Sequence, residues 1–555
     1  MTRGFHVVYQ RHGGTVRQVQ GGEPWRISTG SFSSAERYHL LVLPFSAQTR
    51  AAALSRMAED QFDVLVIGGG ITGAGIALDA AARGFSVALA EKDDFASGTS
   101  GRSSRLVHGG LRYLEQGELS LVHESLRERG ILFRLAPHLV RPVPTYILAE
   151  EFRRRARYGL GLAAYDLLAA GRNVGIHRSA SAEQLREAFP GLAARSGGYR
   201  YFEGQTDDAR LTIEVARTAH GYGALLANHT RVEGLLGGAR VTGAIAADEL
   251  TGQRLEIRAR ATVNAGGVWA DRIRSLAADG GGRERLLPSK GVHLVFAPGA
   301  IRTRASLILP SGAGDGRYFF LVPWEDRVYA GTTDTPYSGD LDRPSVDDAD
   351  RDYLLAAVAR YYPEVTGGDV VASWAGLRPL LSQDEPGADA RTGDLSRKHV
   401  IFEDPPGLFT ITGGKLTTYR AMAEDLVDRV AAALASPRRC RTRSIPLGLH
   451  GPASAVLPLA IAEVVRLGLP PRVGARLLQR YGDDWREAVR LIERDRTLGE
   501  PAAAGLPVLN LELDLARRRE MAITDDDVLV RRVRLTTRDA SARLTTRHGR
   551  EAITP

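Results

Sequence analysis

Three glycines and a glutamate near residue 70 have the spacing of a nucleotide-binding unit. Gly68, Gly70 and Gly73 form a G-x-G-x-x-G pattern directly after the apolar run 62–67. The first glycine permits a tight turn, the second lets backbone approach a pyrophosphate, and the third lets a helix pack closely on a strand. Glu91 follows 23 residues after Gly68, where an acid can bind a ribose hydroxyl. This order of strand, glycine turn, helix and acid predicts a Rossmann-type domain.

The neighbouring residues would complete the nucleotide site. Ile71 and Thr72 precede the predicted helix, whose N-terminus offers free N–H groups and a partial positive charge to phosphate. Lys92 follows the acid directly. A carboxylate at position 91 would repel the 2′-phosphate of NADP, so FAD and NAD remain as candidates.

Three later segments favour FAD. The first is rich in small hydroxyl residues and glycine, which hydrogen-bond phosphate and let a flat ring pack against backbone. The second ends a predicted strand in a glycine turn, and the third places two glycines and a lysine before a helix, where the anionic edge of a reduced flavin would be stabilised. The candidate contacts in these segments are Thr99, Ser100, Ser103, Ser104, His108, Gly109, Gly266, Trp269, Gly413, Gly414, Lys415, Leu416 and Thr417.

Cysteine and lysine are scarce in this chain of 555 residues. Cys440 is the only cysteine, which excludes an internal disulfide, a cysteine-ligated zinc site and an iron–sulfur cluster. Redox chemistry would therefore use an organic cofactor or a metal site without sulfur ligands, and of these two we predict the organic cofactor and no metal site. Arginine supplies nearly all of the positive charge, so a retained lysine such as Lys415 marks a position where a compact point charge is needed.

Motifs along most of the chain resemble those of the FAD-dependent glycerol-3-phosphate dehydrogenases. They are VLVIGGGITGAGIALDAAARG, GTSGRSSRLVHGGLRYLE, VNAGGVWAD, LVPWEDRVYAGTTDTPY, WAGLRPL and TGGKLTTYR, in this order. The resemblance extends from about residue 60 to about residue 535 and includes 519–529, which is similar to the terminal helical domain of the family. Arg105 stands where the family commonly has lysine, and we interpret it as a tolerated replacement.

The resemblance implies oxidation of sn-glycerol 3-phosphate at C2 to dihydroxyacetone phosphate. Fixed cations must bind the phosphate, and the candidates are Arg112, Arg317 and Arg378. Tyr113 could pair with the phosphate or a hydroxyl group, and Thr332 could line the pocket.

The reaction also requires a base and a positive charge beside the flavin. Histidine titrates near the working pH, and both His108 and His293 are candidates to take the C2 hydroxyl proton. Lys415 and Arg378 are the catalytic cations that would stabilise the developing alkoxide and the reduced flavin.

The electrons must then reach a diffusible acceptor. The resemblance points to membrane quinone, and to a cytoplasmic protein that lies on the inner face of the cell membrane. Four arginines in 153–157, followed by the apolar run 160–170, are a candidate contact with an anionic membrane surface. An oxidase that uses oxygen shares these motifs. An FAD-containing RNA-modifying protein is disfavoured, because aromatic and basic residues do not alternate as in RNA-binding segments, so we expect no nucleic-acid partner. The sequence leaves open whether the protein forms a homodimer.

The predicted fold class is α/β, with three domains. They are a glutathione-reductase-like FAD-binding domain of Rossmann type, a substrate domain with an antiparallel sheet, and a C-terminal helical domain. The predicted bounds are 57–145, 205–285 and 370–430 for the first, 146–204 and 286–369 for the second, and 431–540 for the third, between an irregular leader at 1–56 and a basic tail at 541–555.

The net charge of +8 is concentrated at the two ends of the chain. Residues 1–56 and 531–555 each hold seven arginines and two acidic side chains. We expect these ends to contribute to attraction by anionic lipid. Met57, just before the first predicted strand, is an alternative start of the protein.

Overall fold

The computed structural model describes residues 44–115, 117–149, 152–194, 196–277, 285–312, 314, 316–381 and 399–544. The strands are β1 (Gln61–Ile67), β2 (Val87–Ala90), β3 (Leu106–Val107), β4 (Arg141–Leu148), β5 (Arg178–Ala180), β6 (Gly198–Gln205), β7 (Leu225–Ala227), β8 (Thr230–Gly237), β9 (Val241–Asp248), β10 (Arg254–Asn264), β11 (Leu286–Phe296), β12 (Ser306–Pro310), β13 (Tyr318–Trp324), β14 (Arg327–Gly331), β15 (Thr335–Pro336), β16 (Val370–Leu381), β17 (Val400–Glu403) and β18 (Leu408–Thr412).

The helices complete the element order. They are α1 (Ala47–Glu59), α2 (Ile71–Ala82), α3 (Leu111–Glu115), α4 (Leu119–Leu135), α5 (Phe152–Ala169), α6 (Ala182–Ala188), α7 (Asp208–Gly221), α8 (Ala270–Arg274), α9 (Asp348–Ala359), α10 (Tyr419–Ala433), α11 (Ala453–Arg466), α12 (Pro471–Tyr481), α13 (Trp485–Arg494), α14 (Asn510–Arg519) and α15 (Leu535–Arg538), with a π-helical turn at Asp527–Arg532 before the last. Within the described ranges, no helix is long and apolar enough to cross a membrane.

The first sheet is centred on β1 and contains the predicted glycine turn. β1 pairs in parallel with β2 and β10, and parallel pairing continues outward to β7 and β18. Val64 and Val66 of β1 pack into the core under α2, α7 and α10, whereas Leu65 and Ile67 pack into the core on the opposite face. Burial on both faces explains the unbroken apolar run of β1, and the arrangement confirms the Rossmann-type prediction.

The second sheet is the predicted antiparallel one. It has the order β15-β11-β14-β13-β12-β4-β6-β3, with β16 beside β11 and β5 beside β6. Neighbouring strands are antiparallel except β12 and β4, which run parallel. β12, β13 and β14 follow one another along the chain and pair as antiparallel neighbours.

The bounds of the predicted domains differ from the sheets at β3, at β4 and at β16, which all belong to the second sheet. β16, which the prediction assigned to the FAD-binding domain, pairs along most of its length with β11 of the second sheet. The reason is that the WAGLRPL motif serves both units: its strand belongs to the second sheet, while Pro379 and Leu380 face the cavity of the first.

The leader predicted at 1–56 is not irregular where it is described. α1 covers residues 47–59, with Ala53 and Met57 buried against the first sheet. Arg50 is buried, forms an ion pair with Asp248 and donates to the carbonyl of Asn228 at 2.9 Å. The apolar positions of this short helix are mostly alanine, which is why its buried face is weak in the sequence. Residues 1–43 lie outside the described part.

The C-terminal helices form two small cores of their own. α11, α12 and α13 surround one core, in agreement with the predicted helical character of this domain. A second core includes Val528, Val533 and Leu535. Asp527 accepts from the N–H of Thr524 at 2.9 Å, as at a helix start, but the turn that follows is π-helical.

The arginines at 531–538 are not a solvent-exposed basic end, which corrects the charge argument made from the sequence. Arg531, Arg532, Arg534 and Arg538 are at most 8 % exposed. Their charge is neutralised by acidic side chains of the two sheet domains and of the C-terminal segment itself. The predicted tail at 541–555 is described only to residue 544.

Candidate active site

Two adjoining cavities lie where the two sheets meet. The first has a volume of about 440 Å³ and the second of about 300 Å³. Both are lined by six residues that form the shared wall: Thr99, Ser103, Arg378, Gly414, Lys415 and Leu416. Two of the predicted cations, Arg378 and Lys415, therefore lie between the two cavities.

The glycine turn at the first cavity leaves no room for side chains. Gly68 has φ +112°, and a Cβ there would lie 2.6 Å from the carbonyl oxygen of Ala265. A Cβ on Gly73 would lie 1.9 Å from the carbonyl oxygen of Gly68, which explains the requirement for glycine where α2 passes β1. The turn places backbone and the N-terminus of α2 at the cavity, as binding of a pyrophosphate requires.

Glu91 lies at the carboxyl end of β2, beside this turn. Its carboxylate accepts from the N–H of Gly69 at 2.6 Å and from that of Asp93 at 2.9 Å. Burial raises the pKa of Glu91, although the two backbone donors oppose the shift. Lys92 extends across the ring of Trp269, with Nζ 3.9 Å from the ring centroid.

The residues of the first cavity fit FAD. One end offers a glycine turn, a helix N-terminus and an acid for a pyrophosphate and ribose, and the other offers Gly413 and Gly414 in the left-handed region, with φ of +78° and +80°. The predicted cofactor residues that line it are Gly68, Gly70, Ile71, Thr72, Glu91, Lys92, Thr99, Ser100, Ser103, Gly266, Trp269, Gly413, Gly414, Lys415 and Leu416.

Five predicted cofactor residues lie elsewhere. Ser104, His108 and Thr417 line the second cavity. Gly73 lies under the turn, as described above. Gly109 lies behind the wall of the second cavity, where a Cβ would be 2.2 Å from the hydroxyl oxygen of Tyr165.

Arg378 is held in the second cavity by a fixed set of acceptors. Nη1 pairs with the carboxylate of Asp334 at 3.2 Å, and Nη2 donates to Thr332 Oγ1 at 3.0 Å and to the carbonyl of Thr333 at 3.1 Å. A Cβ on Gly291 would lie 2.5 Å from Arg378 Nη2, so the strand must be bare for the guanidinium to pass. These contacts orient a cation toward the shared wall.

His293 lies deep in the second cavity and is neutral near pH 7. Its Nε2 is 2.8 Å from Ser104 Oγ, and its ring stacks on Trp374 with centroids 4.6 Å apart and planes 11° apart. Burial lowers the pKa of His293 well below its ordinary value, and the charges of Arg378 and Arg105 lower it further. A neutral imidazole at this position can accept a proton.

His108, Tyr113 and Lys415 meet on the other side of the second cavity. Lys415 Nζ lies 3.6 Å from the centroid of the Tyr113 ring and 3.4 Å from Ser125 Oγ. The His108 ring stacks against Tyr113 at 6.4 Å, and the carbonyl of His108 accepts from Thr417 Oγ1 at 3.3 Å. The two histidine candidates thus have different settings: His293 is stacked on Trp374 and His108 on Tyr113.

The structure describes the side chains of two of the three remaining predicted substrate residues. Arg317 and Thr332 line the second cavity. Arg112 belongs to α3, but its side chain lies outside the described part of the chain.

Arg105 is not a simple replacement for lysine. Its guanidinium carbon lies 3.5 Å from the ring centroid of Trp324 and 4.8 Å from that of Trp374, the residue that stacks on His293. Burial lowers the pKa of Arg105 to about 10, and the charge of Arg534 acts in the same direction. A flat guanidinium can stack between rings in a way that an ammonium group cannot.

Sequence reasoning missed a buried network behind the second cavity. Glu203 accepts from the N–H of Gly109 at 3.0 Å, from Arg129 Nη1 at 2.8 Å and from the Tyr165 hydroxyl at 3.0 Å. Burial raises the pKa of Glu203, opposed by the charge of Arg129. The signal was absent because the members come from α4, α5 and β6, each without a recognisable motif.

Comparisons with known proteins agree with this geometry. Residues 63–429 match the family described as FAD dependent oxidoreductase, and residues 440–548 match the C-terminal domain of alpha-glycerophosphate oxidase. The chain is 40 % identical to glycerol-3-phosphate dehydrogenase 2 of Mycobacterium tuberculosis (strain ATCC 25618 / H37Rv), over 88 % of this chain and 83 % of that protein. It is 36 % identical to the mitochondrial glycerol-3-phosphate dehydrogenase of Mus musculus, over 94 % of this chain and 75 % of that protein.

A solved structure is also similar. The glycerol-3-phosphate dehydrogenase of Bacillus halodurans, complexed with FAD, superposes with a TM-score of 0.73 at 35 % identity and covers 90 % of each chain. The predicted resemblance and the predicted cofactor are therefore confirmed. The chain belongs to the family of FAD-dependent glycerol-3-phosphate dehydrogenases.

Proposed function

We propose that this chain oxidises sn-glycerol 3-phosphate to dihydroxyacetone phosphate in the second cavity and passes the electrons to a membrane quinone. The observation that carries the proposal is the shared wall, where Arg378 and Lys415 separate a cavity that fits FAD from one that contains a neutral histidine. The names of the relatives support the same substrate.

In this proposal five polar side chains of the second cavity divide the chemistry: Ser104, His293, Arg317, Arg378 and Lys415. Arg317 binds the phosphate, with Arg112 as the second cation that the resemblance implies. His293 accepts a proton at Nε2 from Ser104 Oγ, which lies 2.8 Å away, as the Ser104 hydroxyl takes the proton of the C2 hydroxyl. Arg378 and Lys415 stabilise the negative charge that develops on the C2 oxygen. FAD, when bound, supplies the hydride acceptor.

Anaerobic flavin bleaching tests this function. We expect glycerol 3-phosphate to bleach the flavin of the purified protein, and glycerol at the same concentration to do so far more slowly, because it lacks the phosphate. In Lys415→Ala, we expect bleaching to slow by about 10²-fold or more. Wild-type flavin that stays oxidised with glycerol 3-phosphate would refute the proposal.

Oxygen is the second candidate acceptor. It is favoured by the match of residues 440–548 to the C-terminal domain of an alpha-glycerophosphate oxidase. Turnover with glycerol 3-phosphate in air distinguishes the two, because an oxidase consumes oxygen and releases stoichiometric peroxide. We expect slow oxygen uptake and fast reduction of a short-chain quinone.

α5 is the surface that we propose to lie on an anionic membrane at the inner face of the cell membrane. Leu160 and Leu167 are 77 % and 80 % exposed, and Arg153, Arg154 and Arg157 are exposed at the same helix. The opposite face of α5 is buried and contributes Tyr158 to the second cavity. An exposed apolar and basic face suits an interfacial helix, and it would bring a lipid-borne acceptor close to the reaction site.

A further inference from the structure

The segment that follows β2 lines both cavities, and we call residues 93–105 the cofactor loop. Ser97, Gly98, Thr99, Ser100 and Ser103 line the first cavity, and several of its residues also line the second. The loop contains two non-glycine residues in the left-handed region, Ala96 at φ +64° and Arg105 at φ +55°. Such conformations cost energy and persist only where surrounding contacts impose them.

The C-terminal segment supplies contacts of this kind at the start of the cofactor loop. Asp94 is fully buried, and its carboxylate accepts from Arg531 Nε at 2.7 Å and from Arg532 Nη2 at 2.9 Å. Asn228 is a third residue that donates to this carboxylate, through Nδ2 at 3.0 Å. Arg531 and Arg532 belong to the π-helical turn, so this turn fixes the loop where it leaves β2.

Arg534 reaches the other end of the cofactor loop. Its Nη1 donates to the carbonyl of Gly101 at 2.8 Å, and its Nη2 pairs with Asp208. The second oxygen of Asp208 accepts from the N–H of Ser103 at 2.9 Å and from Ser103 Oγ at 2.7 Å. Arg534 therefore holds Gly101 directly and Ser103 through Asp208, and Ser103 lies in the shared wall.

The positive charge of Arg534 is balanced by two acidic side chains, Asp208, which is buried, and Asp207, which is largely buried. Asp207 also accepts from Arg534, at 3.2 Å and 3.3 Å. Burial would raise the pKa of Asp207, but Arg534, Arg105 and Arg480 together lower it below its ordinary value. Arg534 itself is 2 % exposed, and its backbone is in the left-handed region at φ +59°.

We propose that Arg534 is a positioning residue for FAD: by holding Gly101 and Ser103 it sets the cofactor loop so that Thr99, Ser100 and Ser103 line the cofactor site. The C-terminal domain would then act on flavin binding and on the flavin environment, in addition to packing against the other domains. This role concerns FAD alone and does not depend on the identity of the substrate or of the electron acceptor.

The test is the affinity of the protein for FAD in Arg534→Gln, with Arg217→Gln as the matched control. Arg217 lies on the same helix as Asp208 and bridges to the C-terminal domain through Asp484 at 2.6 Å, but it forms no ion pair with the cofactor loop among the described residues. We expect Arg534→Gln to raise the FAD dissociation constant about tenfold or more and to alter the visible spectrum of the bound flavin. We expect Arg217→Gln to change the melting temperature of the apoprotein without either effect.

Two further variants keep the test decisive. Arg534→Lys retains the charge but cannot reach Gly101, Asp207 and Asp208 together, so we expect it to fold and still to bind FAD more weakly. In the double variant Arg534→Gln/Ser103→Ala, the effects on FAD affinity should be less than additive if Arg534 acts through Ser103. Unchanged FAD affinity and spectrum in a folded Arg534→Lys protein, or fully additive effects, would overturn the proposal.

Discussion

Two groups of four arginines, at 153–157 and at 531–538, have opposite environments in the structure. Those at the start of α5 are mostly exposed and lie beside exposed leucines, whereas those at 531–538 are buried and paired with acids. The acids that make the difference are far away in the chain, at Asp94, Asp207, Asp208 and Glu325. A cluster of positive charge therefore indicates a membrane surface only where no complementary acids converge on it.

The largest expected effect comes from breaking a buried pair. Arg532→Ala leaves Asp94 short of one of its two arginines and removes the donors to the carbonyl of Glu520. We expect the free energy of unfolding to fall by about 3–5 kcal/mol, measured by urea denaturation. Arg153→Ala on α5 is the control and should cost less than about 0.5 kcal/mol. Equal losses in the two variants would remove the distinction between the two groups.

The apolar face of α5 should control membrane binding. The double variant Leu160→Ser/Leu167→Ser removes two exposed leucines, and we expect its partitioning onto anionic vesicles to fall by more than about tenfold. Co-sedimentation with phosphatidylglycerol vesicles measures this. Leu459 and Val465 are also exposed, at 53 % and 49 %. Changing both to serine on α11 should leave vesicle binding as it is, and a comparable loss there would argue against α5.

Arg105 is in a third kind of environment, because its guanidinium group lies against aromatic rings. We expect Arg105→Lys to lower the free energy of unfolding by about 1–2 kcal/mol, because the ammonium group loses the flat stacking on Trp324. Thermal denaturation followed by tryptophan fluorescence would show this. A variant as stable as the wild type would mean that the replacement is conservative, as the sequence alone suggested.

The smallest effect is expected from single arginines on α5. Arg154→Gln should weaken binding to anionic vesicles by about 1 kcal/mol, or about fivefold, and the effect should disappear at high salt. Binding to neutral phosphatidylcholine vesicles is the control and should not change. A loss that persists at high salt would indicate a role other than electrostatic attraction.

Local sequence motifs predicted many of the residues that line the first cavity. They gave no indication of the ion pairs and hydrogen bonds that join distant parts of the chain. The glycine turn, the acid after β2 and the glycines before α10 act through their own backbone, so their spacing carries the information. The pairing of Arg534 with Asp208 joins residues 326 positions apart, and Glu203 meets Arg129 from another element. No periodicity records such contacts, because they depend on how the two sheets and the C-terminal helices pack.

The second cavity could be predicted from the sequence only in part. The motifs singled out His108, His293, Arg317, Arg378 and Lys415, and these five residues line one cavity in the structure. They did not distinguish the two histidines, because the difference lies in the neighbours: Trp374 and two arginines act on His293 from β16 and from the cofactor loop. Burial and charge decide which imidazole is neutral, and both arise only in the folded chain.

The most direct test of the account is the rate of anaerobic flavin reduction by glycerol 3-phosphate as a function of pH, in the wild type and in His293→Gln. Because the pKa of His293 is lowered, the ring stays neutral until the pH falls well below 6.5, so the wild-type rate should stay constant from pH 8 to below 6.5 and decline only in more acidic solution. His293→Gln should slow reduction by about 10²-fold or more while FAD stays bound. A wild-type rate that already declines above pH 6.5, or a His293→Gln protein that reduces its flavin at the wild-type rate, would contradict the assignment.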